Sequence, residues 1–149
     1  MVKCRVKFSS AATSFRFYLM TQTSPWLVEC IAGIIEKGET PEDVARREMI
    51  EETGLELSQI IPINHYLVSP GGTSESVFTF CGRVDASGAE GVFGITDEHE
   101  NIRAFSLAAT DSFKWLDEGR IINAMTLIAL QWLTANHDRV RALWRGLGA

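Results

Sequence analysis

Glu48, Glu51 and Glu52 stand at i, i+3 and i+4, so on a helix their side chains share one face over about one turn. Three like charges that close repel one another and raise each other's pKa values. Two readings follow. One is a solvated acidic face with no chemistry. The other is an inward-facing set whose counter-charge is a hard cation held by oxygen. Mg2+ suits that role because it takes one or two carboxylates, keeps several waters and binds substrate phosphates. Val44 and Ala45 fall on the same side as the glutamates, and no lysine stands at i+4 from Glu48 or Glu51. Both facts favour the inward reading. Arg47 can pair with Glu51 at i+4, while Arg46 points to the opposite side. A second acidic cluster, Asp97-Glu98-His99-Glu100, follows a glycine-containing stretch at 91–94. Taken by its residues alone, it reads as a solvated acidic turn.

The element that carries the three glutamates is the clearest helix in the chain. Thr40 is a good N-cap, Pro41 fits the first helical position, and Asp43 completes a capping box. Gly54 supplies a left-handed stop, which predicts a helix over 41–53. Before it, residues 26–35 are apolar and rich in β-branched side chains, as in a strand that ends in a loop at 36–38. After it, 57–68 reads as one or two short strands interrupted by Pro62, and 69–74 as a loop. Strands are expected at 76–84 and 101–107, with a glycine-containing loop at 85–94 between them. Two helices follow, near 111–118 and from 123 to 135, the latter extending past His137. This order predicts an α/β sandwich, a mixed sheet with helices on both sides.

A length of 149 residues, 46% hydrophobic and 22% charged, suits one soluble domain. No apolar run approaches the ~18–20 residues that cross a bilayer, so no membrane partner is expected. Eight acids and three bases lie between Glu36 and Glu56, which accounts for the whole net charge of −5. An acidic chain without clustered Lys and Arg is a poor partner for nucleic acid. Cys4, Cys30 and Cys81 are too scattered for a disulfide framework or a cysteine-based zinc site, and reduced thiols in the cytoplasm are the simplest expectation. Residues 1–24 stand apart. They carry Lys3, Arg5, Lys7 and Arg16 without a single acid.

Wider spacing adds a resemblance. Gly33, five residues, Glu39, seven residues, then Arg47-Glu48-Met49-Ile50-Glu51-Glu52-Thr53-Gly54-Leu55 fits every position of the pattern GX5EX7REUXEEXGU, U being aliphatic. That is nine restricted positions over 23 residues. The sequence therefore resembles the Nudix hydrolases, which cleave nucleoside diphosphates linked to another moiety. The resemblance implies an α/β/α sandwich with a mixed β-sheet, in which the motif is a metal-binding loop–helix–loop. It implies Glu48 and Glu52 as the principal metal ligands, Glu51 as a third or water-mediated one, and the carbonyl oxygen of Ala32 as a further ligand. Arg47 would orient the glutamates, while Gly33 and Glu39 would shape the loop.

Pro70, fifteen residues after Leu55, resembles the proline that marks the ADP-ribose pyrophosphatase subfamily. The surrounding 69–75 loop, Pro25-Trp26-Leu27 and residues 123–133 are similar to it as well. The likeness runs from about Ser24 to Trp144. It implies hydrolysis of ADP-ribose to AMP and ribose 5-phosphate with Mg2+, Mn2+ being a substitute. Ser69, Pro70 and Glu75 would then bind the nucleoside diphosphate sugar. Glu98 would be the base, with Glu100 the runner-up and an extra metal ligand. Another nucleotide sugar, such as GDP-mannose, is the alternative substrate, and a truncated inactive or nucleotide-binding module the alternative role. The subfamily carries an N-terminal sheet exchanged within a homodimer. Residues 1–24 do not match it, so the expected division is a non-matching segment 1–24 and a Nudix domain 25–149.

Overall fold

Alternation along one strand divides the molecule. In Ser76–Arg83, Phe78 and Phe80 pack on one side with Ile31, Val44 and Met49. Cys81, one residue on, joins Val28, Cys30, Leu130, Leu133 and Trp144 on the other. Successive strand side chains face opposite ways, so these are two cores on the two faces of one sheet. The computed structural model describes residues 2–6, 13–17, 27–87, 91–93 and 102–146, with 2–6, 13–17 and 91–93 described by their backbone alone.

The strands are β1 (Val2–Val6), β2 (Thr13–Phe17), β3 (Val28–Glu29), β4 (Ile31–Ile34), β5 (Gln59–Leu67), β6 (Ser76–Arg83), β7 (Gly91–Phe93) and β8 (Ile102–Leu107). The helices are α1 (Pro41–Thr53), α2 (Ala109–Asp117) and α3 (Ala124–Arg145). One sheet runs β4-β1-β6-β5 and the other β3-β2-β8-β7. The β1–β6 pair is parallel and the remaining pairs antiparallel, so the first sheet is mixed. Helix α1 covers the Phe80 face and α3 the Cys81 face. The result is the expected layering of helices on both sides of a mixed sheet. Burial pushes the Cys81 thiol up to about 12, which suits a core side chain and not a reactive one.

Several elements differ from expectation in instructive ways. The stretch 26–35 is two strands, because at Cys30 the chain leaves β2 for β1. Residues 59–67 form a single strand in spite of Pro62, and a bulge between Pro62 and Asn64 absorbs the missing donor. Within the expected 85–94 loop, Gly91–Phe93 pairs with β8. Helix α2 starts at Ala109, two residues early, and α3 runs on to Arg145. Residues 2–6 and 13–17, from the basic segment, each take a central place in a sheet.

The register decides what lies near what. Ile34 pairs with Lys3, which pairs with Val77, and Leu67 pairs with Ser76. The exit of β4 and the loop joining β5 to β6 therefore open at the same end of the sheet. Only β1 separates β4 from β6, which puts them about 10 Å apart at the usual strand spacing.

Candidate active site

Helix α1 forms for local reasons. The Thr40 hydroxyl accepts from the Asp43 backbone at 3.2 Å, and the Asp43 carboxylate accepts from the Thr40 backbone at 3.0 Å. The Thr40 hydroxyl also donates to the Asp43 carboxylate at 2.6 Å, and this bond, with the one from the Thr40 backbone, holds the Asp43 carboxyl below its ordinary value. At the other end Gly54 takes φ 68° and donates to Ile50 O at 2.8 Å. Such a left-handed cap favours glycine. Between the caps Val44, Ala45 and Met49 are buried and anchor the helix on β4.

That anchoring turns two of the three glutamates inward. Glu52 is 3% exposed and the Glu48 side chain 14%, whereas the Glu51 side chain is 41% exposed. The Glu48 carboxylate lies directly on the backbone of Gly33: a Cβ built there would overlap Oε1, Cδ and Cγ of Glu48. Only glycine permits this approach. Glu48 thus sits one residue along β4 from Ala32.

Arg47 is the electrostatic hub. Its Nε and Nη2 donate to the two oxygens of Glu39 at 2.9 and 3.2 Å, and Nη1 donates to Glu48 Oε1 at 2.7 Å and Glu51 Oε2 at 3.0 Å. Nη2 also reaches the Ile34 carbonyl at 3.4 Å. Glu39 in turn accepts from the Glu36 backbone at 3.0 Å, so the 36–39 loop is tied to the helix. Arg47 lowers the pKa of Glu39, and the bonds to Glu39 raise that of Arg47. The expected Arg47–Glu51 pair is present. The two-pronged grip on Glu39 was not foreseen, and its only signal was the fixed spacing of the pair. Arg46 turns away and donates to Leu57 O at 2.7 Å.

Among the described residues no group of three His, Cys, Asp or Glu side chains gathers as a ready metal site. The donors at hand are all oxygens: Glu48, Glu52, the more exposed Glu51 and the backbone beside Gly33. A hard cation that needs one or two carboxylates and keeps its waters fits such a set.

The second candidate cluster is the β5–β6 loop. Ser69 O accepts from Gly72 and Thr73 backbone N–H groups at 2.9 Å, which makes a tight turn. Ser69 and Pro70 are exposed and Glu75 half-buried, and the Glu75 backbone donates to the Thr73 hydroxyl at 3.1 Å. The register puts this loop at the sheet end that carries the 35–40 loop, but on other strands. Glu98 and Glu100 lie outside the described residues.

Comparison with known proteins fits this geometry. A family profile described as the NUDIX domain matches residues 12–125. The chain belongs to the Nudix family. The ADP-ribose pyrophosphatase of Escherichia coli (strain K12) is 47% identical over 124 residues, covering 83% of this chain and 59% of that protein. That of Haemophilus influenzae is 40% identical over 122 residues, covering 82% and 56%. The GDP-mannose pyrophosphatase of Escherichia coli (strain SMS-3-5 / SECEC) is 30% identical over 112 residues, covering 74% and 57%. This Nudix chain thus spans well under two thirds of the length of these curated relatives. A solved structure titled as an ADP compounds hydrolase superposes with a TM-score of 0.71 and 17% identity, covering 99% of this chain and 74% of that one. At that identity the likeness is one of Nudix fold.

Proposed function

We propose that the chain hydrolyses the pyrophosphate of ADP-ribose to AMP and ribose 5-phosphate, with Mg2+ held at Glu48, Glu52 and the carbonyl oxygen of Ala32. One observation carries the reading: the Glu48 carboxylate rests on Gly33 beside a buried Glu52, inside a complete Nudix motif. Arg47 alone faces Glu39, Glu48 and Glu51, three carboxylates on one guanidinium, which leaves the set short of positive charge. A divalent cation bound there would supply that charge, polarise a phosphoryl oxygen and offset the negative charge that builds on the phosphates. The names of relatives at 40–47% identity support ADP-ribose as the substrate.

The protein's own residues do the rest. Arg47 bridges Glu48 and Glu51 through one nitrogen and locks Glu39, which keeps the loop beside Ala32 and Gly33 in shape. Ser69, Pro70 and Glu75 bind the substrate at the end of the sheet. A water attacks one phosphorus in line, the bridging P–O bond breaks, and Glu98 takes the water's proton, with Glu100 the runner-up. The cytoplasm is the expected setting, and a homodimer is what the subfamily resemblance implies, through an N-terminal sheet that residues 1–24 do not match.

AMP release from ADP-ribose and GMP release from GDP-mannose, each with Mg2+ and with chelator, test the proposal. Mg2+-dependent cleavage of ADP-ribose is expected. Equal rates with and without Mg2+ refute the metal assignment, and faster cleavage of GDP-mannose moves the substrate toward that of the 30% identical relative.

A further inference from the structure

We infer that Thr126, in the first turn of α3, is a positioning residue for the metal-holding stretch Ala32–Gly33, because its hydroxyl fixes the point at which the chain passes from one sheet to the other. The inference rests on the metal reading above. Cys30 is that crossing point: Val28 and Glu29 pair with β2, while Ile31 to Ile34 pair with β1. At the crossing the Cys30 backbone N–H donates to Thr126 Oγ1 at 3.0 Å, in the interior of the protein. Thr126 is fully buried. Its hydroxyl also donates to Asn123 Oδ1 at 3.1 Å, and Asn123 Nδ2 donates to Glu29 Oε1 at 2.5 Å. The same Asn123 oxygen caps α3 by accepting from the Thr126 backbone at 3.0 Å.

The two ends of this network attach to adjacent residues, the last of β3 and the crossing point itself, Glu29 and Cys30. It therefore holds the crossing in place and in orientation. Ala32 is two residues further, about 7 Å along an extended strand. A strand is stiff over that length, so a displacement at Cys30 moves Ala32 and Gly33 with it. Gly33 has no slack, since the Glu48 carboxylate lies against its backbone. The helix on one face of the sheet thus sets the geometry of a metal site built by the helix on the other. Partners that orient metal ligands from outside the ligand set act on affinity in this way.

The test uses the full chain with Mn2+ alone, read by the electron paramagnetic resonance signal of unbound Mn2+, and thermal unfolding alongside. Thr126→Val keeps the shape and removes the hydroxyl. It is expected to raise the Mn2+ dissociation constant roughly tenfold, with Thr126→Ser restoring it. Amide exchange at Ile31–Gly33 should quicken in the valine variant and return to normal in the serine variant. Should Thr126→Val fail to fold, Asn123→Ser keeps a good helix cap while removing the amide that bonds Glu29, and several-fold weaker Mn2+ binding is expected of it. Wild-type affinity in a folded Thr126→Val, or in Asn123→Ser when it stands in, overturns the inference alone. A wild-type chain that binds no Mn2+ overturns the metal reading and this inference with it.

Discussion

Replacing Gly33 by alanine separates the stability of the fold from the competence of the site. The added methyl group would overlap the Glu48 carboxylate, which must swing away. What moves is the far end of a flexible side chain, so the backbone need not yield. The carboxylate leaves its 2.7 Å contact with Arg47, whose side chain is about one-third exposed, a pair worth roughly 0.2–1 kcal/mol. Residual crowding adds about 1 kcal/mol. A loss of about 1–2 kcal/mol lowers the melting temperature of a domain this size by roughly 2–8 °C. The effect on the site is larger, because Glu48 is displaced from Glu52 and the β4 backbone. Mn2+ affinity should fall by about 10–100-fold and hydrolysis with it. Calorimetry and Mn2+ titration on the same samples measure both. Gly146→Ala is the control, since φ is −69° there and a Cβ would meet only ordinary contacts. It should change stability by less than about 1 kcal/mol and leave metal binding alone. A folded Gly33→Ala variant with normal Mn2+ affinity and turnover would refute the assignment of Glu48 as a ligand.

Other expectations follow from the same geometry. Glu52→Gln should abolish turnover with the helix intact, whereas Glu51→Gln, at a far more exposed position, should do less; the reverse order in kcat would reassign the ligands. Arg47→Lys should not restore what Arg47→Ala loses, because one ammonium cannot reproduce the two-pronged bond to Glu39 together with those to Glu48 and Glu51; equal melting temperatures for Arg47→Lys and wild type would contradict this. Glu39 and Asp43 have carboxyl values held below their ordinary 4.5 and 3.8, by Arg47 and Thr40 respectively. Their stabilisation is fully present above those ordinary values and is lost as pH falls through the lower folded-state values. Glu39→Gln should therefore flatten the acid limb of stability against pH, and an unchanged limb would argue otherwise. Glu98→Gln should slow turnover with little loss of Mn2+ binding, and a greater loss in Glu100→Gln makes Glu100 the base.

Much of the site was legible because its signals are local. Thr40, Pro41, Asp43 and Gly54 specify α1 within fifteen residues, and each does in the structure what its chemistry suggests. Val44 and Ala45 indicated that glutamates faced inward, and Glu48 and Glu52 do, although Glu51 lies further round toward solvent. What escaped detection depends on pairing across distance. No feature of residues 28–35 says that two sheets claim them, and the break at Cys30 exists only because β1 and β2 lie in different sheets. The strands β1 and β2 were missed for another reason. Val2-Lys3-Cys4-Arg5-Val6 alternates with a strand period, but over only five residues the basic composition of the segment outweighs that signal. Gly91–Phe93 is too short to rise above its glycine-containing surroundings.

The place of β1 also governs the order of events during synthesis. Its residues are made well before their parallel partners, Ser76 to Phe80, which come more than seventy positions later. Until those emerge from the ribosome, β1 lacks one of the two neighbours it will have in the finished sheet. Loop closure over that span must precede the sheet, which marks this as a slowly nucleating topology. Slowing translation beyond residue 80 would therefore lengthen the time in which β1 can find β6, and haste there would favour mispaired chains.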